Sequence, residues 1–392
     1  MNGSEHMMNT YAPLDVCFDR GEGVWLFDDK GAKYLDALSG IAVCGLGHAH
    51  PAVTRAIQAQ AEKLLHTSNL YCIRNQQRLA NQLSEKSGMD RVFFSNSGAE
   101  ANEAAIKLAR LYGNQQNIDN PSIIVTDGSF HGRTLATLSA TGNRKVQAGF
   151  EPLVHGFIRA PYNNTDAIRS IAQNSNNIVA ILVEPVQGEG GINIPDENYL
   201  NELRAICDEN NWLLMLDEIQ TGMGRTGEWF AFQHSKIKPD VMTLAKGLGN
   251  GVPIGACIAN GKAAELFQPG NHGSTFGGNP LTCAAASAVV DTIAEEKLCQ
   301  RAAQSGERII NAFKSQLSDV NGVKAIRGMG LMIGIELDRD CPELVALALQ
   351  QHCLINVTAG HVIRLLPPLI MSDEQADTVV NTVCALVKDF LK

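Results

Sequence analysis

The hydrophobic pattern of the chain predicts an α/β protein: a large domain with a mainly parallel sheet, joined to a smaller α+β domain. Three observations lead there. From about Arg91, short near-continuous apolar runs alternate with helical patterns, as in a parallel sheet covered on both faces. After Asn279-Pro280 that alternation gives way to a different one. Finally, 392 residues with 45% hydrophobic and 19% charged side chains are enough for more than one core of ordinary globular composition.

Taken in order, Met1 to Met8 contains Gly-Ser-Glu-His-Met, partly resembles an expression-tag remnant and is left outside the fold. Val92-Phe-Phe reads as a strand, followed by an Ala-rich helix from Ala99 to Leu111 and a strand Ser122-Ile-Ile-Val-Thr. Ile178-Val-Ala-Ile-Leu-Val, a helix from about Asn198 to Glu209, Trp212 to Leu216, Val241-Met-Thr-Leu and Gly255-Ala-Cys-Ile-Ala continue the series. Past Asn279-Pro280 a long Ala-rich helix is expected to about Ala303. Gly330-Leu-Met-Ile-Gly-Ile-Glu-Leu, Leu354-Ile-Asn-Val and Val362-Ile-Arg-Leu-Leu then read as strands of the smaller unit. A closing helix starts at Asp373, where Ser372 and Gln375 have the spacing of a capping box. The expected division is a segment 1–50 contributing to the small domain, a large domain 51–285 and a small domain 286–392.

The net charge of −9 and the absence of any basic run or basic helix face oppose general affinity for nucleic acid or anionic membrane. No apolar run is long enough to span a bilayer, and the amino terminus has no charged segment followed by an apolar core, so a cytoplasmic protein is expected. The ten cysteines are scattered singly, without a C-x-x-C pair or a histidine cluster at metal spacing, and read as reduced; no metal is expected.

In parallel sheets ligands collect beyond the strand carboxyl ends, where Ser95, Asp127, Glu184, Asp217 and Lys246 fall. An acid or a lysine after a strand is usually an ordinary solvated end. Presented together by successive apolar strands, Lys246 and Asp217 read as the two poles of a pyridoxal phosphate site, the amine forming a Schiff base and the carboxylate holding the pyridine nitrogen protonated. Ser95-Asn-Ser-Gly-Ala-Glu opens a helix whose unpaired amides suit a phosphate, although an ordinary βα turn reads the same way. Phe130 is placed to stack on a pyridine ring, Arg133 to grip a carboxylate, and Gln220 to donate to the phenolic oxygen, while His131 is expected to pack or hydrogen-bond locally. Gly273-Ser-Thr-Phe-Gly-Gly-Asn is either a hinge or a functional loop. Arg364 stands among apolar residues and needs a partner, for which Glu184 is the candidate, as a switch between two substrates.

These motifs resemble the class III, or ω-type, pyridoxal phosphate aminotransferases. The resemblance rests on Ser97-Gly-Ala-Glu-Ala-Asn-Glu, Phe130-His-Gly-Arg-Thr, Glu184-Pro-Val-Gln-Gly-Glu-Gly-Gly, Asp217-Glu-Ile-Gln-Thr-Gly-Met-Gly-Arg-Thr-Gly and Ala245-Lys-Gly-Leu, and it extends from Gly31 to the carboxyl end. It implies fold-type I architecture, with Lys246 as the Schiff-base lysine, Asp217 as the pyridinium partner and Gln220 as the phenolate contact. Ser97, Gly98 and Ala99 would form the phosphate cup and Phe130 would be the stacking ring. It further implies that Arg133 and Ser274 contact substrate, that Arg364 holds 2-oxoglutarate, and that Thr275 reaches the phosphate of the neighbouring subunit in a homodimer. Cys72, where relatives often have an aromatic, and Asn250, in a loop that is often all glycine, depart from the pattern.

Ala245-Lys-Gly-Leu-Gly, Gly273-Ser-Thr-Phe-Gly-Gly-Asn-Pro-Leu and Arg364-Leu-Leu-Pro-Pro-Leu bring the resemblance nearest to members that move the ω-amino group of N-acetylornithine to 2-oxoglutarate in arginine synthesis. Succinylornithine, succinyl-diaminopimelate, ornithine and 4-aminobutyrate remain alternative donors. A racemase or decarboxylase on the same cofactor is a different-class alternative. So is a non-catalytic binding homologue, against which the intact Lys246, Asp217 and phosphate cup count.

Overall fold

The computed structural model describes residues 6–392; residues 1–5 of the amino-terminal segment lie outside the described residues. Seven strands form the large sheet in the order Arg91–Ser95, Gly255–Ala259, Val241–Leu244, Leu213–Asp217, Ile178–Val183, Ser122–Thr126 and Phe157–Ala160. Gly255–Ala259 runs antiparallel to both neighbours and the remaining adjacent pairs are parallel. The sheet is therefore mainly parallel, as the apolar runs require.

Its strands are mainly apolar because both faces are covered, and the arginines Arg91 and Arg159 fall on the two edge strands. Leu213 and Met215 join a cluster with Ile106 and Leu108 of the helix Gly98–Gln115. The alternate residues Leu214 and Leu216 join a cluster with Leu203 and Ile206 of the helix Tyr199–Asn210 on the other face. Period-two alternation thus distributes one strand's side chains between two cores.

Two smaller sheets flank this one. Phe18–Glu22, Trp25–Asp28 and Lys33–Asp36 form a meander extended by Cys353–Leu354, with Leu35 opposite Cys353 in parallel register. Val323–Met329, Met332–Leu337, Val362–Leu365 and Asn356–Thr358 form an antiparallel sheet. The amino-terminal meander, Phe157–Ala160 and Val323–Met329 are strands that the hydrophobic pattern did not reveal. Phe18–Glu22 is mostly exposed and polar, so it carries no alternating apolar face.

The Ala-rich helix expected to run to Ala303 is two helices, Pro280–Glu295 and Leu298–Leu317, broken where Lys297 takes a left-handed φ of 54°. No glycine or proline marks that break. The closing helix Asp373–Phe390 has its capping box: Ser372 Oγ accepts from Gln375 N and Gln375 Oε1 accepts from Ser372 N.

Between the meander and the large sheet, Ser39, Gly40, Ile41 and Ala42 all have positive φ, at 47°, 62°, 66° and 63°. Such a left-handed turn costs roughly 1–2 kcal/mol at each non-glycine residue. Asp36 holds it: Oδ1 accepts the amides of Leu38 (2.9 Å) and Ser39 (2.7 Å), and Ser39 Oγ donates to Leu366 O (2.6 Å). His48 Nε2 lies 2.8 Å from the other Asp36 oxygen. Asn250 joins this region to the large domain's loop. Its amide oxygen accepts from Leu46 N (2.8 Å), its amide nitrogen donates to Gly47 O (3.0 Å), and its own φ is 47°. A glycine would provide the same backbone freedom without either bond.

Candidate active site

A cavity of about 370 Å3 opens at the carboxyl ends of the large-sheet strands. Its lining brings together Ser97, Gly98, Ala99, Phe130, Arg133, Glu184, Asp217, Gln220 and Lys246, contributed by five separate stretches of the sequence. Parallel strands produce this convergence, because every βα crossover delivers its loop to the same edge.

Asp217, the last residue of Leu213–Asp217, is buried, and three donors converge on its carboxylate. Asn102 Nδ2 (2.8 Å) and His131 Nδ1 (2.8 Å) meet Oδ2, and Ile219 N (3.1 Å) meets Oδ1. Asn102 is fixed in turn by Thr243 Oγ1, which donates to its Oδ1 at 2.7 Å. Sequence reading placed His131 in a local hydrogen bond but missed both its partner and Asn102. Asn102 sits four residues past Gly98 on the first turns of the helix, a spacing that points it back at the strand ends. Glu218 turns away from the cavity. It accepts from Ala231 N, Phe232 N and Thr221 Oγ1, and burial pushes its carboxyl up to about 7.

Lys246 follows Val241–Leu244 in a tight turn, with a strained φ of 43° that directs its side chain into the cavity. Enclosure by protein lowers its ammonium pKa, with the Glu189 charge opposing the shift and Arg364 adding to it. A lysine more easily deprotonated is a better nucleophile and proton carrier.

Ser97 caps the helix Gly98–Gln115: its Oγ accepts from Glu100 N at 3.2 Å, while Glu100 Oε2 accepts from Asn96 N and Ser97 Oγ. The amides of Gly98 and Ala99 have no acceptor among the described residues, so the helix start presents two donors where its dipole favours an anion. Gly98 is required by packing, since a Cβ there would lie 2.7 Å from Ile219 Cδ1. Phe130 stands across the cavity with the Arg133 guanidinium 5.5 Å from its ring centre. Arg133 is itself exposed.

Arg364 is 1% exposed, behind the cavity wall. Its expected partner Glu184 is not the one it has. Nη1 donates to Glu189 Oε1 at 2.6 Å and Nη2 to Asn356 Oδ1 at 2.8 Å, with Gln220 Oε1 3.5 Å from Nη1. Glu184 is instead held by backbone: Oε1 accepts from Phe130 N (2.9 Å) and Oε2 from Gly188 N (3.1 Å). These bonds turn its carboxylate inward, whereas Glu189, beyond the turn, projects toward the antiparallel sheet that carries Arg364.

Ser274 and Thr275 do not line the cavity of their own chain. Ser274 Oγ accepts from Gly277 N (2.9 Å) and Asn96 Nδ2 (3.2 Å), and Thr275 is exposed. Cys72 is also exposed. Among the described residues no group of histidine, cysteine, aspartate or glutamate side chains is arranged to hold a metal ion, and no helix is long and apolar enough to cross a membrane.

A profile of the class III aminotransferase family matches residues 6–387. This chain belongs to the class III aminotransferases. It is 60% identical over 387 residues to the acetylornithine aminotransferase of Nitrosomonas europaea, covering 99% of this chain and 98% of that one. The crystal structure of ornithine aminotransferase from Toxoplasma gondii superposes with a TM-score of 0.95 at 34% identity, covering 98% of this chain and 93% of that one. Acetylornithine aminotransferase from Elizabethkingia anophelis gives 0.87 at 35% identity, covering 98% and 97%. The class III architecture accounts for the mainly parallel sheet with its cavity at the strand carboxyl ends.

The donor set suits the cofactor of this family, pyridoxal phosphate. Two free amides at a helix start match a phosphate, a buried carboxylate matches a ring cation, and a lysine at the cavity matches an aldehyde. Two buried nitrogens, His131 Nε2 and Arg364 Nε, have no partner among the described residues.

Proposed function

We propose that this class III aminotransferase moves the ω-amino group of N-acetylornithine to 2-oxoglutarate, yielding N-acetylglutamate semialdehyde and glutamate, a step of arginine synthesis. The observation that carries the reading is the Glu189–Arg364 pair. A buried arginine suited to grip the α-carboxylate of a 2-oxo acid is neutralised by a carboxylate from a loop rich in glycine. With the pair closed, an ω-amino donor finds no free cation near the reacting carbon. With Glu189 displaced, glutamate and 2-oxoglutarate find one.

Bound pyridoxal phosphate supplies the electron sink for the carbon that loses its proton and stores the amino group between the half-reactions. The rest falls to the chain. Asp217, oriented by Asn102 and His131, holds the ring nitrogen's proton. Gly98 and Ala99 amides bind the phosphate, Phe130 fixes the ring plane, and Gln220 donates to the phenolic oxygen. Lys246 Nζ carries the cofactor between turnovers and moves the proton at the reacting carbon. Arg133, at the mouth of the cavity, takes the distant α-carboxylate of the donor. On this reading residues 51–285 would carry the cofactor, while 286–392 together with the described part of 1–50 would carry Arg364 and the turn beside Gly247.

A second copy of the chain is part of this reading. Leu64, Leu65, Leu70, Tyr71 and Phe276 are exposed around the loop carrying Thr275, an apolar surface suited to a symmetric partner whose phosphate site Thr275 would complete. Sedimentation of the holoenzyme should give a dimer, and a fully active monomer would remove Thr275 from the site.

Single-turnover reaction of the holoenzyme with a panel of donors tests the substrate. N-acetylornithine should react at least about tenfold faster than ornithine or 4-aminobutyrate, the span of roughly one charge-assisted contact. A faster reaction with either of those would displace it.

A further inference from the structure

Glu184 lines the cavity, is 5% exposed and is not the partner of Arg364, which leaves a buried carboxylate without a role in the chemistry above. Its two oxygens are divided between two loops. Oε1 takes the amide of Phe130, the residue across the cavity, and Oε2 takes the amide of Gly188, immediately before Glu189. Its own backbone is fixed from the far side by the Tyr162 hydroxyl, which donates to Glu184 O (3.2 Å) and Pro185 O (3.0 Å).

The loop it holds is fixed on both sides of Glu189. At Gly188 a Cβ would lie 2.3 Å from Gln220 Oε1, so the chain is pressed against Gln220 there. Gly190 and Gly191 follow Glu189, and Gly191 has a φ of 119°. On the far side Thr358 Oγ1 donates to Glu189 O (2.5 Å), Asn193 Nδ2 to Gly190 O (3.1 Å) and Arg327 Nη2 to Gly191 O (2.7 Å), so Glu189 leaves Arg364 by rotating its side chain on a backbone that Gly188 anchors on the near side. The anchor's other arm is the amide of Phe130.

We propose that Glu184 is a positioning residue that couples the two ends of the site: one carboxylate sets both the placement of Phe130 on the cofactor ring and the backbone position from which the Glu189 side chain uncovers Arg364. This rests on the reading of Glu189 and Arg364 above. Glu184→Gln keeps the volume, but its amide NH2 must face one of two backbone N–H groups, so one arm is lost. Loss of either arm frees a loop that the other arm still touches.

The test is a double-mutant cycle on Glu184→Gln and Glu189→Gln, with two readouts: cofactor dissociation measured by equilibrium dialysis, and single-turnover rates with glutamate and with whichever ω-amino donor reacts fastest. Glu189→Gln alone should leave cofactor affinity unchanged and shift the ratio of the two half-reactions toward glutamate. Glu184→Gln alone should weaken cofactor binding by about tenfold, through Phe130, and reduce the shift produced by Glu189→Gln at least about threefold, a coupling expected only of residues that share a structural element. If Glu189→Gln shifts the ratio equally in both backgrounds, or if Glu184→Gln leaves cofactor affinity intact, the coupling does not exist. If Glu184→Gln does not fold, Glu184→Asp serves: it keeps the charge but is one methylene too short to span both amides, and the same two outcomes apply. A Glu189→Gln variant without any shift of the half-reaction ratio would strike at the reading of Arg364 instead, leaving the dialysis result on Glu184 to be judged separately.

Discussion

Glu189 Oε1 lies 2.6 Å from Arg364 Nη1, so the guanidinium proposed above to bind a 2-oxo acid is already occupied by the protein's own carboxylate. Opening this pair would free a guanidinium charge for a substrate carboxylate. Removing the carboxylate should therefore favour one half-reaction over the other, not merely lower both.

Glu189→Gln should raise the glutamate half-reaction relative to the ω-amino half-reaction by about tenfold, roughly the 1.4 kcal/mol of one charge-assisted contact. Stopped-flow traces with each substrate give the ratio. Equal losses in both directions would make the pair a static support.

Lys246→Ala should retain the fold by circular dichroism yet lose turnover by roughly 10²–10⁴-fold from the missing proton carrier alone. In the parent protein, borohydride reduction followed by peptide mass analysis should fix the cofactor's mass on Lys246. Recovery of that mass on another lysine would reassign the role.

Asp217→Asn should slow the single-turnover rate by roughly two orders of magnitude or more, because the ring nitrogen loses its charged partner. Asn102→Ala, which leaves the Asp217 charge in place but removes one of its donors, should fall between the parent and Asp217→Asn. An Asn102→Ala rate equal to the parent's would mean that His131 and the Ile219 amide suffice to orient the carboxylate.

His48 supplies a pH dependence of stability. Burial disfavours its charged form, but hydrogen bonding to Asp36 and Cys44 and the charge of Asp36 outweigh it and raise the imidazole to about 9. A histidine that binds its proton more tightly when folded contributes stability below its unfolded pKa near 6.5, and loses that contribution as pH rises through 9. Urea unfolding midpoints should fall between pH 6.5 and 9 by more in the parent than in His48→Asn, after allowance for the other groups common to both. Parallel pH profiles would show that the Asp36 pair does not bind the proton preferentially in the folded state.

Six of the seven large-sheet strands were legible because their runs are mainly apolar and several give way to a polar residue, as Val183 does to Glu184 and Leu216 to Asp217; the edge strand Phe157–Ala160, with Arg159 among its four residues, was not. Most of the cavity lining followed from those ends together with Ser97-Gly-Ala and Phe130-His-Gly-Arg. The partner of Arg364 was not legible. Glu184 and Glu189 lie on one loop five residues apart, and only the turn, drawn in by the Phe130 and Gly188 amides, decides which carboxylate faces outward. Asn102 was hidden for a similar reason: in a helix rich in alanine it reads as a surface residue until the strand end bearing Asp217 is placed beside it. The break at Lys297 had no signal, because a left-handed lysine is chosen by the packing of the two helices it joins.

The parallel register between Leu35 and Cys353 unites the two extremities of the chain in a single sheet. On the ribosome, the amino-terminal meander therefore emerges first and waits for almost the whole of translation before its last neighbour exists. Until then the edge of Lys33–Asp36 is unpaired, the condition under which strands recruit other chains. Because this seam closes late, a chain truncated before Cys353 should be less soluble than the full chain, with the edge of Lys33–Asp36 left open.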